Sequence, residues 1–300
     1  MTGAIPPLTE AQWQAEFEAY KQIPQYIEVT GPAGMTLDGF KYIFFWEWFH
    51  RLLGRIIGLA YGLPLAWFWA KRAIPQGYHA RLVGLLLLGG LQGFVGWWMV
   101  KSGLTADVKV SHLRLATHLS LALTTLGLLV WTALDLRGHA RGEAKARLSG
   151  LPALAVAVLA VQLFYGALVA GLRAGPVAGA GWLNWGSWPL MQDRFLPAGI
   201  DWSQGAIHAL TADPYLVHFV HRWWAWLVVL VLVLLARRLR VVERSASVAI
   251  HSAFGIQILL GIATVYSGVA IWLAALHQLT GALLLAATVW GAHRLGRSSQ

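Results

Sequence analysis

Long apolar stretches recur along the whole chain and are separated by polar connections. Each comes close to the roughly 20 residues that an α-helix needs to cross the hydrocarbon core of a membrane. None shows the lipid-facing and lumen-facing alternation of a membrane β-barrel, so the pattern predicts helices. The seven predicted spans cover about 43–70, 81–100, 112–134, 151–172, 215–236, 247–267 and 270–293.

The composition is typical of an integral membrane protein. Hydrophobic residues make up 57% of the 300 residues and charged residues only 12%, whereas soluble domains carry about 25% charged residues. The chain contains no cysteine, which excludes disulfides, thiolate metal sites, iron–sulfur clusters and cysteine nucleophiles. Any chemistry therefore depends on the 11 histidines, 13 acidic residues and 23 basic residues.

The net charge of +10 indicates membrane topology rather than binding to nucleic acid. Basic residues are concentrated in the connections that follow the first, third, fifth and last spans, and the positive-inside rule places this side in the cytoplasm. They are Lys71, Arg72, Arg81, Arg137, Arg141, Lys145, Arg147, Arg237, Arg238, Arg240, Arg244, Arg294 and Arg297. The segment 1–42 and the long loop 173–214 are then on the outer side.

The outer segment 1–42 is predicted to contain a short helix. Thr9-x-x-Gln12 fits a capping box, and Trp13, Phe17 and Tyr20 would share one face suited to the membrane surface. The segment has no apolar stretch of the signal-peptide type, so a preceding helix is needed to carry it across the membrane. We therefore expect one further helix upstream of this sequence.

A two-fold repeat relates the two halves of the chain. Spans two and three resemble the last two spans, and the first resembles the fifth. The matched residues are Gly90 with Gly255, Gln92 with Gln257, Gly96 with Gly261, Ser102-Gly103 with Ser267-Gly268, His118 with His277, Trp131 with Trp290, and His50-Arg51 with His221-Arg222.

The repeat predicts an all-α integral membrane protein of two pseudo-symmetric four-helix bundles, arranged in parallel about an axis along the membrane normal. Seven of the eight helices lie in this sequence. The first bundle would comprise 43–134, the cytoplasmic linker 135–150, and the second bundle 151–300.

Four histidines that the repeat relates lie at one depth. His50, His118, His221 and His277 are about six or seven residues inside the outer ends of their spans, which places them ~9–11 Å below that boundary. Intramembrane ionisable groups are usually functional, and two facing imidazoles suit bis-histidine ligation of heme iron. Zinc or copper would favour additional thiolates or carboxylates, which are mostly missing. The sequence predicts two heme positions, His50 with His118 and His221 with His277.

The remaining histidines are assigned to surface or supporting positions. His218 is of most interest among them, because it lies one turn before His221. The others are His79, His112, His139, His208, His251 and His293.

Glu47 distinguishes the first half from the second. It is predicted to be the only acid within a span, and the corresponding position of the second half is His218. Either a basic neighbour such as Arg51 neutralises it, or it is held over a porphyrin edge, so that one heme site performs chemistry while the other carries electrons. Arg51 and Arg222 could bind heme propionates, and Arg51 could instead pair with Glu47.

Tryptophans are frequent in the outer loop 173–214. They fit either an interfacial belt or a cover over a flat aromatic ligand. They are Trp182, Trp185, Trp188 and Trp202.

Several of these motifs together resemble the heme A synthase family, most closely its cysteine-free branch from alphaproteobacteria and mitochondria. The resemblance covers essentially the whole chain. Family members have a first transmembrane helix before the segment that starts at Thr2, and the other branch has a cysteine pair that is missing here. The motifs are Glu47-Trp48-Phe49-His50-Arg51-Leu52-Leu53-Gly54-Arg55, Thr2-Gly3-Ala4-Ile5-Pro6-Pro7-Leu8, His221-Arg222 and His277-Gln278.

The resemblance implies an enzyme that oxidises the methyl group of heme O to the formyl group of heme A, by two hydroxylations with oxygen from water. His50 and His118 would flank the substrate heme, and Glu47 would act as an acid/base or cation-stabilising carboxylate. His221 and His277 would ligate a heme b. The expected location is a bacterial inner membrane. The expected partners are membrane lipid, heme O synthase, cytochrome oxidase assembly factors and an electron acceptor that the sequence does not identify.

Two other functions are compatible with the same residues. A di-heme b cytochrome that takes electrons from quinol needs the four histidines but gives Glu47 no role. A transporter built on the repeat could use Glu47 and Arg51 as a proton-coupled site. The cytochrome would contain only heme b, and the transporter would contain no heme.

Overall fold

The computed structural model describes residues 5–105, 108–178 and 190–298. Within these ranges the only β-structure is a single bridge between Met191 and Arg194. The helices are α1 (Glu10–Tyr20), α2 (Leu37–Ala70), α3 (His79–Thr105), α4 (His112–His139), α5 (Gly150–Leu172), α6 (Ala206–Ala212), α7 (Pro214–Val242), α8 (Arg244–Tyr266) and α9 (Ile271–Ser298), with a π-helical turn at Tyr26–Thr30 and a 3-10 turn at Pro176–Ala178.

Six helices among the described residues are long and apolar enough to cross a membrane, namely α2, α3, α4, α5, α8 and α9. Large apolar side chains on them are exposed, as are Ile57, Leu63 and Trp67 on α2. Exposure of this kind is costly in water and natural in lipid. The prediction of a helical, multi-pass membrane protein is therefore confirmed. The remaining predicted span, 215–236, lies within the 29-residue helix α7.

The helices extend beyond the apolar stretches from which they were predicted. Helix α2 begins at Leu37 because the Thr36 Oγ1 accepts the Gly39 N–H at 3.2 Å and caps it. Helix α7 continues through Arg237 and Arg238 to Val242, since arginine is a good helix former. Hydropathy marks the part of a helix that suits lipid, whereas the ends are decided by capping and helix propensity.

The chain divides into two compact units, the first of which is Met1–Arg114. In this unit the predicted capping box of α1 is confirmed, because Thr9 Oγ1 accepts the Gln12 N–H at 3.3 Å and Gln12 Oε1 accepts the Thr9 N–H at 3.2 Å. The aromatic face of α1 packs on the start of α2, where Phe17 and Tyr20 contact Phe40 with ring centroids 5.3 and 5.0 Å apart. Burial of these rings fixes the short helix against the long one.

The second unit, Leu115–Gln300, is built around α5, α7, α8 and α9. Contacts of α5 with α7, α7 with α8, α8 with α9 and α9 with α5 close a ring of four helices. Its core consists of aliphatic side chains from all four, among them Leu159, Leu232, Ile250 and Leu284. Trp131 of α4 packs against this core. The predicted heme ligands of the second half lie on two of the four helices.

Candidate cofactor-binding site

His221 lies on α7 in direct contact with α5. The Gln162 Nε2 lies 3.2 Å from His221 Nδ1 and donates to the His221 carbonyl oxygen at 3.0 Å. One turn further along α5, a Cβ added at Gly166 would come within 3.1 Å of His221 Cε1. Glycine at this position lets α5 approach the edge of the imidazole closely.

His277 on α9 is held by α8 in a similar way. Its Nδ1–H donates to the Gln257 carbonyl oxygen at 3.1 Å, and Gln257 Nε2 lies 3.3 Å from His277 Nε2. A Cβ at Gly261 would come within 3.0 Å of His277 Cε1, and one at Gly281 within 3.3 Å of Gln257 Nε2. Two glycines therefore leave room for the imidazole and for the amide beside it.

The two histidines share one supporting arrangement. A Gln-x-x-x-Gly sequence places an amide and a bare backbone on one helix face, one turn apart, and each histidine contacts both. His221 and His277 lie on α7 and α9, which contact each other in the ring of four helices. The structure thus brings together the two residues that the sequence predicted as the second heme pair.

Gln162 and Gly166 are absent from the motifs identified in the sequence. Their spacing equals that of Gln257 and Gly261, and this is the signal by which they could have been found. Span 151–172 has no counterpart in the first half of this sequence, so comparing the halves does not reveal it.

The chemistry of this cluster suits a heme held by two imidazoles. Neutral imidazole nitrogen is a common axial ligand of heme iron. Within the described residues, His221 Nε2 makes no hydrogen bond, whereas His277 Nε2 lies 3.3 Å from Gln257 Nε2, which must turn away for this nitrogen to ligate iron. A heme b bound by His221 and His277 fits these residues.

His218 and Arg222 secure the first turns of α7. His218 is only 4% exposed, and its Nδ1–H donates to the Ala174 carbonyl oxygen at 2.7 Å. The Arg222 Nη1 donates to the Leu190 carbonyl oxygen at 2.7 Å. Both side chains thereby tie α7 to the connection that follows α5. Of the two positions predicted for His218, at the surface or in support of the site, the surface position is wrong because the side chain is buried.

The candidate catalytic residue Glu47 forms an ion pair with Arg51 on α2. Glu47 Oε1 and Arg51 Nη1 are 3.4 Å apart, and the two side chains are 28% and 32% exposed. This is one of the two arrangements that the sequence left open. His50 is exposed on the same helix, and its predicted partner His118 is half-buried in the second unit. Their pairing on a substrate heme stays a prediction.

Of the four tryptophans in the outer loop, Trp202 is exposed. Trp182, Trp185 and Trp188 lie outside the described residues. The cover over an aromatic ligand, which depends on them, therefore stays a prediction.

A buried pair of ionisable residues lies elsewhere in the second unit. Asp135 Oδ1 and His293 Nε2 are 2.9 Å apart, both side chains are buried, and Trp131 packs edge-on against the imidazole. The prediction that Glu47 is the only acid within a helix span is therefore wrong, as is a surface position for His293. The reason is that α4 continues to His139, beyond the apolar stretch, and so carries Asp135 onto α9.

Comparison with known proteins supports the resemblance seen in the sequence. The family model COX15-CtaA, described as cytochrome oxidase assembly protein, matches residues 1–289. The chain is 66% identical over 296 residues to the heme A synthase of Novosphingobium aromaticivorans, which covers 99% of this chain and 85% of that protein. It is 52% identical to the heme A synthase of Erythrobacter litoralis, over 99% of this chain and 86% of that protein. It is 53% identical to that of Sphingopyxis alaskensis, with 100% and 82% covered.

No solved structure matches the chain. The family match and the curated relatives confirm the resemblance on which the sequence analysis relied. The chain belongs to the COX15-CtaA family of cytochrome oxidase assembly proteins.

Proposed function

We propose that this protein is an oxidoreductase that converts the methyl group of heme O into the formyl group of heme A, for the assembly of heme–copper oxidases. The observation that carries the proposal is its 66% identity, over 99% of the chain, to a heme A synthase. Two hydroxylations with water, followed by loss of one water, release four electrons and four protons. The oxygen of the formyl group then comes from water.

The likeness to heme A synthases favours His50 and His118 as ligands of the substrate heme. Glu47 lies one helical turn before His50, on the same face of α2. The ion pair with Arg51 at 3.4 Å limits the positions that the carboxylate can adopt. Glu47 then accepts a proton from the attacking water or stabilises positive charge at the methyl-derived carbon.

In the second half, His221 and His277 would hold heme b. When bound, heme b accepts electrons singly and passes them on. Gln162 and Gln257 fix the orientation of the two imidazoles, as groups around a metal ligand commonly do. Arg222, whose Nη1 donates to the Leu190 carbonyl oxygen, remains the candidate for binding a heme propionate, a group that arginine binds well.

The membrane arrangement follows from the same assignment. With α7 counted, seven helices cross a bacterial inner membrane, in two bundles formed by 43–134 and 151–300 and joined by the linker 135–150. The ring of α5, α7, α8 and α9 supports the second bundle. The basic connections lie in the cytoplasm, whereas 1–42 and 173–214 are periplasmic.

The partners follow from the reaction. Heme O synthase supplies the substrate, cytochrome oxidase assembly factors receive heme A, membrane lipid surrounds the helices, and an acceptor outside this chain takes up the electrons.

The proposal is tested by producing the full chain in a host that makes heme O but no heme A of its own. We expect heme A in membrane extracts and heme b in the purified protein, both identified by pyridine hemochrome spectra. Protein with heme b alone and no heme A would support a di-heme cytochrome instead. Protein without a Soret band would support a transporter.

The ligand assignment is tested by H277A, which removes one imidazole from heme b. We expect the low-spin heme b spectrum to disappear, because a single remaining imidazole does not give bis-histidine ligation. H208A is the matched control, since His208 is an exposed histidine on α6, and it should retain heme b. Retention of the low-spin spectrum in H277A would contradict the assignment.

A further inference from the structure

An open cavity of about 580 Å³ lies where α7 ends and α8 begins. Its lining consists of one residue from the last turn of α7 and five from the first turns of α8. They are Arg240, Arg244, Ser247, Val248, His251 and Ser252. Arg240 is 19 residues beyond His221 on α7, which corresponds to about 28 Å along the helix. The cavity is therefore separate from the proposed heme b site.

The two arginines of the cavity carry charge that the chain does not balance. In the part of the chain that the structure describes, neither Arg240 nor Arg244 forms an ion pair or a side-chain hydrogen bond. The acid between them in sequence, Glu243, is engaged elsewhere, because its Oε2 accepts from both Nε and Nη2 of Arg294 at 2.8 Å. Two guanidinium groups are thus available to an anion.

The start of α8 adds further groups that favour an anion. Helix α8 has 23 residues, and its N-cap residue Glu243 makes no side-chain cap hydrogen bond. The first N–H groups and the positive end of the helix dipole therefore favour negative charge here. His251 Nδ1–H donates to the Ser247 carbonyl oxygen at 2.9 Å, which leaves Nε2 to interact with a ligand.

An apolar stripe on α8 continues from the cavity along the helix. Val248 lines the cavity, and Ile256 and Leu259 follow it at helical spacing, each with half or more of its surface exposed. Ser252 lies between them on the same face. Charge at one end and an exposed apolar stripe below it match the shape of a phospholipid, whereas a free phosphate would use only the charged end.

We propose that this cavity binds the phosphate headgroup of an anionic phospholipid, whose acyl chains lie along the stripe formed by Val248, Ile256 and Leu259. Basic pockets between membrane helices on the cytoplasmic side are known to hold such headgroups. A bound lipid would link the last turn of α7 to the first turns of α8. These two helices also carry His221 and Gln257, at positions distant from the cavity.

The test measures binding of phosphatidylglycerol to the full, heme-loaded protein in mild detergent by native mass spectrometry, with phosphatidylcholine as the uncharged comparison. The variant R240A/R244A removes both guanidinium groups of the cavity. The control R237A/R238A removes the same charge from exposed positions on the same helix that do not line the cavity. We expect about 30-fold weaker binding in R240A/R244A, at about fivefold for each arginine, and less than about threefold in the control.

Equal heme b content in both variants shows that each has folded. Equal affinity of the unaltered protein for the two lipids would overturn the proposal, and so would equal losses in the two variants, since that result indicates only general attraction to charge. Inorganic phosphate provides the last comparison. If millimolar phosphate displaced phosphatidylglycerol, the site would be a phosphate site and not a lipid site, whereas resistance to phosphate supports a contribution from the acyl chains.

Discussion

The residue three positions before His50 on α2 differs from the residue three positions before His221 on α7, and the environments of the two residues differ as well. On α2 it is Glu47, a partly exposed carboxylate paired with Arg51. On α7 it is His218, a buried imidazole that donates to the Ala174 carbonyl oxygen. An accessible carboxylate can exchange protons, whereas a buried imidazole bonded to the backbone fixes the position of its helix. Two helices related by the repeat, α2 and α7, can thus carry a carboxylate open to proton exchange in one half and an immobilised imidazole in the other.

The neighbouring histidines differ in the same sense. His50 is exposed on α2, whereas His221 is half-buried and packs against Gln162 and Gly166 of α5. A rigid ligand suits a heme that only carries electrons, because a fixed geometry keeps reorganisation small. A site that must admit a substrate heme and release a product heme needs more freedom. The comparison therefore predicts that changes on α2 affect chemistry, while changes around α7 affect stability and heme b.

The largest effect is expected from E47Q, which keeps the shape of the side chain but removes its charge. If Glu47 acts as an acid/base or stabilises a cation, heme A formation should fall by about 10²- to 10⁴-fold, while heme b content stays unchanged. The measurement is chromatography of extracted hemes, in which unreacted heme O should accumulate.

E47D provides the control, because it retains a carboxylate on a shorter side chain and should recover part of the activity. Normal heme A formation in E47Q would remove the catalytic role of Glu47 and, with it, the chemical difference between the two halves.

A smaller effect is expected from H218L, which leaves the buried Ala174 carbonyl oxygen without its donor. An unsatisfied buried polar group costs about 1–3 kcal/mol, so the Tm of the purified protein should fall while heme A formation per folded molecule is retained. H208L, at an exposed histidine, should leave the Tm unchanged. Loss of heme A formation in folded H218L would show that this position participates in chemistry in both halves.

Much of the fold could be predicted from the sequence, because apolar stretches of helical length leave few alternatives in a membrane. The ends of helices could be predicted less well, since α7 continues through arginines that hydropathy assigns to a connection. Asp135 was missed for this reason: it lies just beyond an apolar stretch, yet α4 continues and buries it against His293. Burial depends on the helix packed opposite, which the pattern of one segment does not specify.

The candidate site could be predicted from the sequence only in part, for a similar reason. The repeat identified His221 and His277, because each has a matching histidine in the first half, His50 and His118. Gln162 and Gly166 contribute through contact with a helix distant in sequence, so their importance becomes visible only when α5 packs on α7. Periodicity predicts which residues share a face, whereas the partner of that face follows from the packing.

The glycines beside the imidazoles offer a finer test of rigidity around heme b. A Cβ at Gly261 would lie 3.0 Å from His277 Cε1, whereas a Cβ at Gly255, earlier on α8, meets nothing within 4 Å. Replacing either glycine by alanine raises helix propensity by about the same amount, near 1 kcal/mol. The difference between the two variants therefore isolates the contact with the imidazole.

The smallest effect is expected from G261A relative to G255A. The added methyl group must displace the His277 ring by a few tenths of an ångström, and overpacking of this kind costs about 1 kcal/mol or somewhat more. Retention of heme b during dilution into a heme-scavenging protein should then be about fivefold shorter in G261A, with a shift in the low-spin electron paramagnetic resonance signal. G255A should match the unaltered protein in both measurements. If G261A matched it too, the imidazole would have freedom to move, and the rigid character assigned to this half of the molecule would be lost.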